Sequence, residues 1–199
     1  MTPRIILASA STIRRDLLRN ANVPVDILPV RIDEAAIRDG MVAEGAKPRD
    51  IAVQLAEFKA RKASQKEPGA LVIGCDQVLD CDGVLLSKPD TKETARAQLD
   101  QLNGKRHKLL SAAVIYENGT AIWRHIGSVT LQMRQNSPEY LDDYVNRNWD
   151  SIQHSVGAYK LEEEGVRLFH RIDGDYFNVL GLPLLELLAY LTLRGHIPG

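Results

Sequence analysis

The sequence lacks most of the features that would place it in a specialised class. It has two cysteines in 199 residues, Cys75 and Cys81. Two are too few for a disulfide framework, and neither has metal-type spacing with histidines, so a reducing, cytoplasmic setting is expected. Charge imbalance is absent as well: the formal net charge is −1, which removes any long-range attraction for a nucleic-acid polymer. Phosphate recognition must then be local, made by a few placed Lys and Arg side chains. Long apolar runs are missing. The stretch from Ile5 to Leu7 is too short for a signal peptide, and the C-terminal one is broken by Glu186 and falls short of a membrane span. No internal repeat and no low-complexity segment interrupts the chain. Gly104-Lys105 is not a P-loop, because Leu99 stands where the first glycine belongs and Arg106 where Ser or Thr belongs. No G-x-S-x-G elbow occurs.

What remains is ordinary globular composition, 44% hydrophobic and 26% charged, in an alternation of strand-like and helix-like runs that predicts an α/β fold. Strands are expected over residues 4–8, 25–30, 70–73, 158–161 and 166–172. Ser11 opens a helix carrying Ile13, Leu17 and Ala21 on one face. Asp50 is expected to cap a helix with Ile51, Leu55 and Phe58 inward, and Asp90 with Glu93 forms a capping-box pattern before Ala95, Leu99 and Leu102. Asp82-Gly83 and Asn118-Gly119 read as hairpin turns. Ser137-Pro138 starts another helix. Pro183 opens a last, Leu-rich helix that Gly195 ends. That helix is apolar on most sides, so it is expected to be buried, in part against a second subunit.

Five constellations could carry chemistry. Ser9, Ser11, Arg14 and Arg15 lie where a strand passes into a helix start, whose free N–H groups and dipole favour a phosphate; a capped helix with surface arginines is an equal reading. Gly74-Cys75-Asp76-Gln77 sets a carboxylate at the end of an apolar strand, a frequent place for a metal or a base, and Gly74 would let a ligand approach the backbone. Lys88 precedes Pro89, which holds its backbone extended. Lys59 lies near the core-facing stripe of its helix, where it either snorkels outward or enters a cleft. Asp33-Glu34 offers hard oxygen ligands suited to Mg2+ or Mn2+. Taken singly, the last four are more simply a turn, a loop lysine, a snorkelling lysine and an acidic helix start. Cys75 reads as a small buried thiol, the run 105–108 as a solvated loop or strand edge, and Glu162-Glu163-Glu164 as a solvated turn in which Glu162 falls in a strand pattern.

Order and spacing are more specific than any one of these. Leu7-Ala8-Ser9-Ala10-Ser11-x-x-Arg14-Arg15, Asp33-Glu34, Lys59-Ala60, Gly74-Cys75-Asp76-Gln77-Val78, Ser87-Lys88-Pro89, Leu102-Asn103-Gly104-Lys105-x-His107, and Gly157-Ala158-Tyr159 through Gly181-Leu182-Pro183-Leu184 together resemble the Maf family of nucleotide pyrophosphatases over nearly the whole chain. The resemblance implies one Maf-like domain over residues 1–199, with a mixed twisted sheet and flanking helices in two lobes around a central cleft, as in the inosine triphosphatases. It implies a homodimer that hydrolyses a nucleoside triphosphate to the monophosphate and pyrophosphate with a divalent cation, Mg2+ or Mn2+. By position, Asp76 matches the catalytic acidic residue, Ser9, Arg14, Lys59 and Lys88 the phosphate-binding residues, and Glu34, with Asp76, the metal site. Ile13, Gln77 and Glu162 fall at specificity positions. Gln77 and Glu162 resemble the branch acting on 7-methylguanosine triphosphate, and Ile13 departs from it where an aromatic residue is often found. Two rivals remain: a nucleotide-binding regulator of cell division and septum formation with little catalysis, and a phosphatase that releases orthophosphate.

Overall fold

The computed structural model describes residues 3–199. Its elements run β1 (Ile5–Leu7), α1 (Thr12–Asn20), β2 (Val25–Ile27), α2 (Glu34–Ala43), α3 (Pro48–Ser64), β3 (Leu71–Cys81), β4 (Val84–Leu86), α4 (Lys92–Leu102), β5 (Arg106–Glu117), β6 (Thr120–Met133), α5 (Pro138–Ile152), β7 (Phe169–Asp173), α6 (Tyr176–Val179) and α7 (Leu184–Leu193). The strands form one mixed sheet in the order β2-β1-β3-β5-β6-β7, with β4 paired to β3. β1 is parallel to both β2 and β3, whereas the β3–β4 and β6–β7 pairs are antiparallel. The α/β expectation is met. Among the described residues no helix is long and apolar enough to cross a membrane.

Two compact units divide the chain. The first takes residues up to Gln77, Ser111–Gly127 and Tyr176–Gly199; the second takes Val78–Leu110 and Ser128–Asp175. In the first, Leu7, Leu18, Leu71, Ile73, Ala113, Ile115, Leu182 and Leu187 form a buried cluster around β1, β3, β5 and α7. In the second, α4 packs on α5. There the His107, Tyr159 and Phe169 rings meet, with centroids 4.8–5.8 Å apart.

Both hairpin turns form as expected. Asp82-Gly83 and Asn118-Gly119 each place two successive residues at positive φ, the geometry that matches strand twist in a two-residue hairpin. Ser11 and Ser137 cap α1 and α5 through their side chains. Two caps differ. α3 begins at Pro48 with Lys47 as its N-cap, because proline suits the first helical position; Asp50 falls inside the first turn instead. α4 is capped by Thr91, whose hydroxyl accepts from Thr94 N at 3.1 Å, one residue later than the Asp90–Glu93 pattern.

Three strand expectations are also corrected. β3 does not stop near Asp76 but continues to Cys81 and is buried along nearly all its length. β1 pairs with residues 71–73 and β4 with residues 79–81, β5 lies on the other side, and this sheet context sustains residues of weak strand preference. Residues 158–161 form no strand, because Gly157 and Ala158 stand at φ of 75° and 58°, a left-handed pair that extended backbone does not accept. Glu162 therefore sits exposed on a turn. The segment from 166 becomes strand only at Phe169, after a short 3-10 turn over Glu164–Leu168. On α7, Leu184, Leu187 and Leu191 are buried as expected, but Leu185 and Leu193 are 55% and 82% exposed in the single chain.

His107, expected in a solvated run, is buried, and its Nε2 lies 2.8 Å from the Tyr159 hydroxyl. Burial lowers its pKa from 6.5 to about 4. The unfolded chain therefore binds the extra proton first, so this contribution to stability is present above pH 6.5 and is lost as pH falls toward 4. It amounts to at most about 3 kcal/mol. In thermal scans from pH 7 to pH 4, the His107→Gln variant should lose less stability than the parent. Parallel pH profiles would contradict this account.

Candidate functional site

The site grows from one close approach. A Cβ added at Gly74 would lie 2.2 Å from the Ala56 carbonyl oxygen and 2.6 Å from the Ala60 nitrogen. The glycine is thus needed for the backbone of α3 to lie against β3, and no ligand claims that space. Ala52, Ala56, Ala60 and Ala63 are all fully buried, and they lie at helical spacing on α3. Lys59, beside Ala60, cannot snorkel from there. Its ammonium lies 2.6 Å from Asp76 Oδ1 and 2.8 Å from Glu34 Oε1.

Asp76 and Lys59 are only 6% and 8% exposed. Burial pushes the Asp76 carboxyl above the ordinary carboxylate range; the Lys59 and Arg14 charges and the Lys59 hydrogen bond oppose that rise, and Glu34 adds to it. Glu34 arrives from the start of α2, where the Asp33 side chain accepts from Ala36 N. Asp33 is thus the helix cap and Glu34 the residue that reaches Lys59.

On the other face of β3, Gln77 meets a different set of partners. Its Nε2 lies 2.9 Å from Ser111 Oγ, 3.0 Å from the Asn178 carbonyl and 3.1 Å from the Val179 carbonyl. Both carbonyls are acceptors, so the amide nitrogen must point toward them. Ser111 donates to the same Asn178 carbonyl at 2.6 Å. Arg14, at the start of α1, donates from Nε to the Gly181 carbonyl at 2.7 Å and from Nη1 to the Cys75 carbonyl at 3.2 Å. Ser9 is buried, and its Oγ accepts from Ser11 N at 3.2 Å. Ile13 packs against the core cluster. Cys75 is fully buried, and burial raises its thiol to about 11, which leaves it protonated and inert as a nucleophile.

The family model described as Maf-like protein matches residues 4–193. The chain belongs to the Maf family. A nucleoside triphosphate pyrophosphatase of Ruegeria pomeroyi is 64% identical over 197 residues, 99% of each chain. A 7-methyl-GTP pyrophosphatase of Mesorhizobium japonicum is 43% identical over the full length of both. The Ham1 protein of Staphylococcus aureus has a similar fold, with a TM-score of 0.50 at 11% identity, covering 94% of this chain and 99% of that one.

Seven of the nine residues expected from the Maf resemblance (Ser9, Ile13, Arg14, Glu34, Lys59, Asp76 and Gln77) lie in the first unit. Lys88 and Glu162 belong to the second. Lys88 is exposed in the loop after β4. In the glutamate run, Glu163 accepts from the Ser151 hydroxyl and Glu164 from Arg147 and Asn148, while Glu162 faces solvent. Ser111, Asn178 and Gly181 join this set. Only Gly181 carried a sequence signal, as part of the Gly-Leu-Pro-Leu motif.

Gly74→Ala should drive α3 off β3 and draw Lys59 away from Asp76. Overpacking of this kind costs about 2–3 kcal/mol, equivalent to a melting temperature lower by roughly 5–10 °C in a chain of this size. An unchanged melting temperature would contradict the packing described.

Proposed function

We propose that this chain hydrolyses a nucleoside triphosphate to the monophosphate and pyrophosphate, with Asp76 as the catalytic acidic residue. The observation that carries the reading is the buried Asp76–Lys59–Glu34 arrangement, in a chain whose full-length relatives carry pyrophosphatase names. A carboxylate kept inside by a strand and a neighbouring ammonium is fixed in place, and its second oxygen can orient or deprotonate water. Attack of that water at the α-phosphorus expels pyrophosphate. Ser9, Arg14, Lys59 and Lys88 bind the phosphate oxygens and stabilise the charge that develops on them.

A divalent cation suits the same place. Among the described residues no group of three or more His, Cys, Asp or Glu side chains is gathered as a metal site. Asp76 and Glu34 nevertheless already converge on one cationic centre, and both are hard oxygen donors. Mg2+ or Mn2+ would be held by these two carboxylates, with phosphate oxygens and water completing its shell. When bound, the cation polarises the phosphoryl group and neutralises charge.

We further propose a guanine-type substrate, with 7-methyl-GTP as the leading candidate, acted on as a homodimer. The exposed Glu162 carboxylate can accept two hydrogen bonds from a guanine N–H edge. The Mesorhizobium relative, which matches the full length of this chain, carries the 7-methyl-GTP name. The exposed Leu185 and Leu193 on α7 are compatible with contact to a second copy.

A nucleotide panel that includes 7-methyl-GTP, assayed for pyrophosphate and orthophosphate with and without Mg2+ or Mn2+, tests the reading. Pyrophosphate should appear only with the cation, and Asp76→Asn should reduce its release by at least about a hundredfold, the scale of a general base. Near-normal turnover in that variant, or orthophosphate as the product, would refute it. Glu162→Gln should narrow the preference for guanine-type bases, and an unchanged nucleotide profile would remove Glu162 from base recognition.

A further inference from the structure

The odd-numbered face of β3 holds a closed ring of hydrogen bonds. From Cys75 the ring passes through its carbonyl to Arg14 Nη1, from Arg14 Nε to the Gly181 carbonyl, along the backbone to Val179 and Asn178, and from their carbonyls to Gln77 Nε2. Residues 75 and 77 of one strand thus hold the 178–181 segment at two points, one through Arg14 and one directly. The ring is tight. A Cβ at Gly181 would lie 2.9 Å from Arg14 Nη2, and Gly181 has a φ of +89°, so the guanidinium rests against a residue that only glycine supplies without strain. Gly127 gives Asn178 its seat, because a Cβ there would fall 1.8 Å from Asn178 Oδ1. Ser111 is fully buried and closes the knot from β5.

We propose that Gln77 is a positioning residue for the polyphosphate: by tying the 178–181 segment to β3, it sets the Arg14 guanidinium. Its amide nitrogen is committed to this knot, so a change at Gln77 reaches the phosphates of every nucleotide, whichever base is attached. The inference rests on the reading of Arg14 as a phosphate-binding residue. It differs from a base-reading role in a measurable way, because inorganic tripolyphosphate carries no base.

Tripolyphosphate binding to the full-length protein is measured by calorimetry in Mg2+, alongside kcat and KM for pyrophosphate release from GTP and UTP. Gln77→Met should weaken tripolyphosphate binding by about threefold to tenfold, the scale of one lost hydrogen bond, and raise KM for both nucleotides by a similar factor. Ser111→Ala, which removes a group that substrate cannot touch, should shift both in the same direction by less, and it decides the matter if Gln77→Met does not fold. In an Arg14→Ala background, Gln77→Met should add no further loss. Unchanged tripolyphosphate binding in Gln77→Met, a loss confined to one base, or additive losses in the double variant would overturn the inference. If Arg14→Ala itself leaves tripolyphosphate binding intact, the phosphate role of Arg14 falls and the inference with it. If Arg14→Ala weakens binding and Gln77→Met does not, the inference alone falls.

Discussion

The contact of α3 with β3 at Gly74 is the constraint on which the site depends. Two backbones come so close there that no side chain fits between them, and a row of alanines on the helix accepts the strand. Once the helix is seated, Lys59 has one place to go. Its ammonium enters a buried position beside Asp76 and meets Glu34 from α2. Packing places the pair: taking an ion pair out of water costs desolvation that its attraction only partly offsets, and burial raises the Asp76 carboxyl while the neighbouring positive charges lower it. The buried charges are held in position by the apolar contacts around them.

The two faces of β3 then divide the work. Asp76 faces α3 and the carboxylate–lysine cluster, while Cys75 and Gln77, one residue to either side, belong to the opposite face because side chains alternate along a strand. Arg14 connects the faces. It is bonded to backbone carbonyls on the Gln77 side, and its charge still acts on Asp76. The guanidinium donates to carbonyls fixed in the fold, so it is held before any ligand arrives, which in the proposed reading lowers the entropic cost of gripping a phosphate.

Much of this was legible in the sequence, and the exceptions have physical causes. The α/β class, both hairpin turns and the serine caps followed from local chemistry that tertiary structure did not override. The order of motifs pointed to Asp76, Lys59, Glu34 and Arg14, and the first three converge in space. The extent of β3 was not legible. Gly74, Asp76 and Asp80 are poor strand formers, and it is the sheet around β3, formed with β1, β4 and β5, that keeps them extended. Gly74 looked like room for a ligand and is room for a helix, because a glycine records that something comes close and not what it is. The partners of the Gln77 amide nitrogen, Ser111 and the 178–179 carbonyls, lie over thirty and a hundred positions away in the chain, which no local pattern encodes. The left-handed pair Gly157-Ala158 broke a strand expectation for a similar reason, since hydrophobicity alone does not show backbone handedness.

The central claim is that water, placed by Asp76, attacks the α-phosphorus of a nucleoside triphosphate. Turnover in 18O-labelled water, with products separated and weighed by mass spectrometry, tests it most directly. The account predicts one 18O atom in the nucleoside monophosphate and none in the pyrophosphate. Label in the pyrophosphate, which would place the attack on the β-phosphorus, or in released orthophosphate would contradict it.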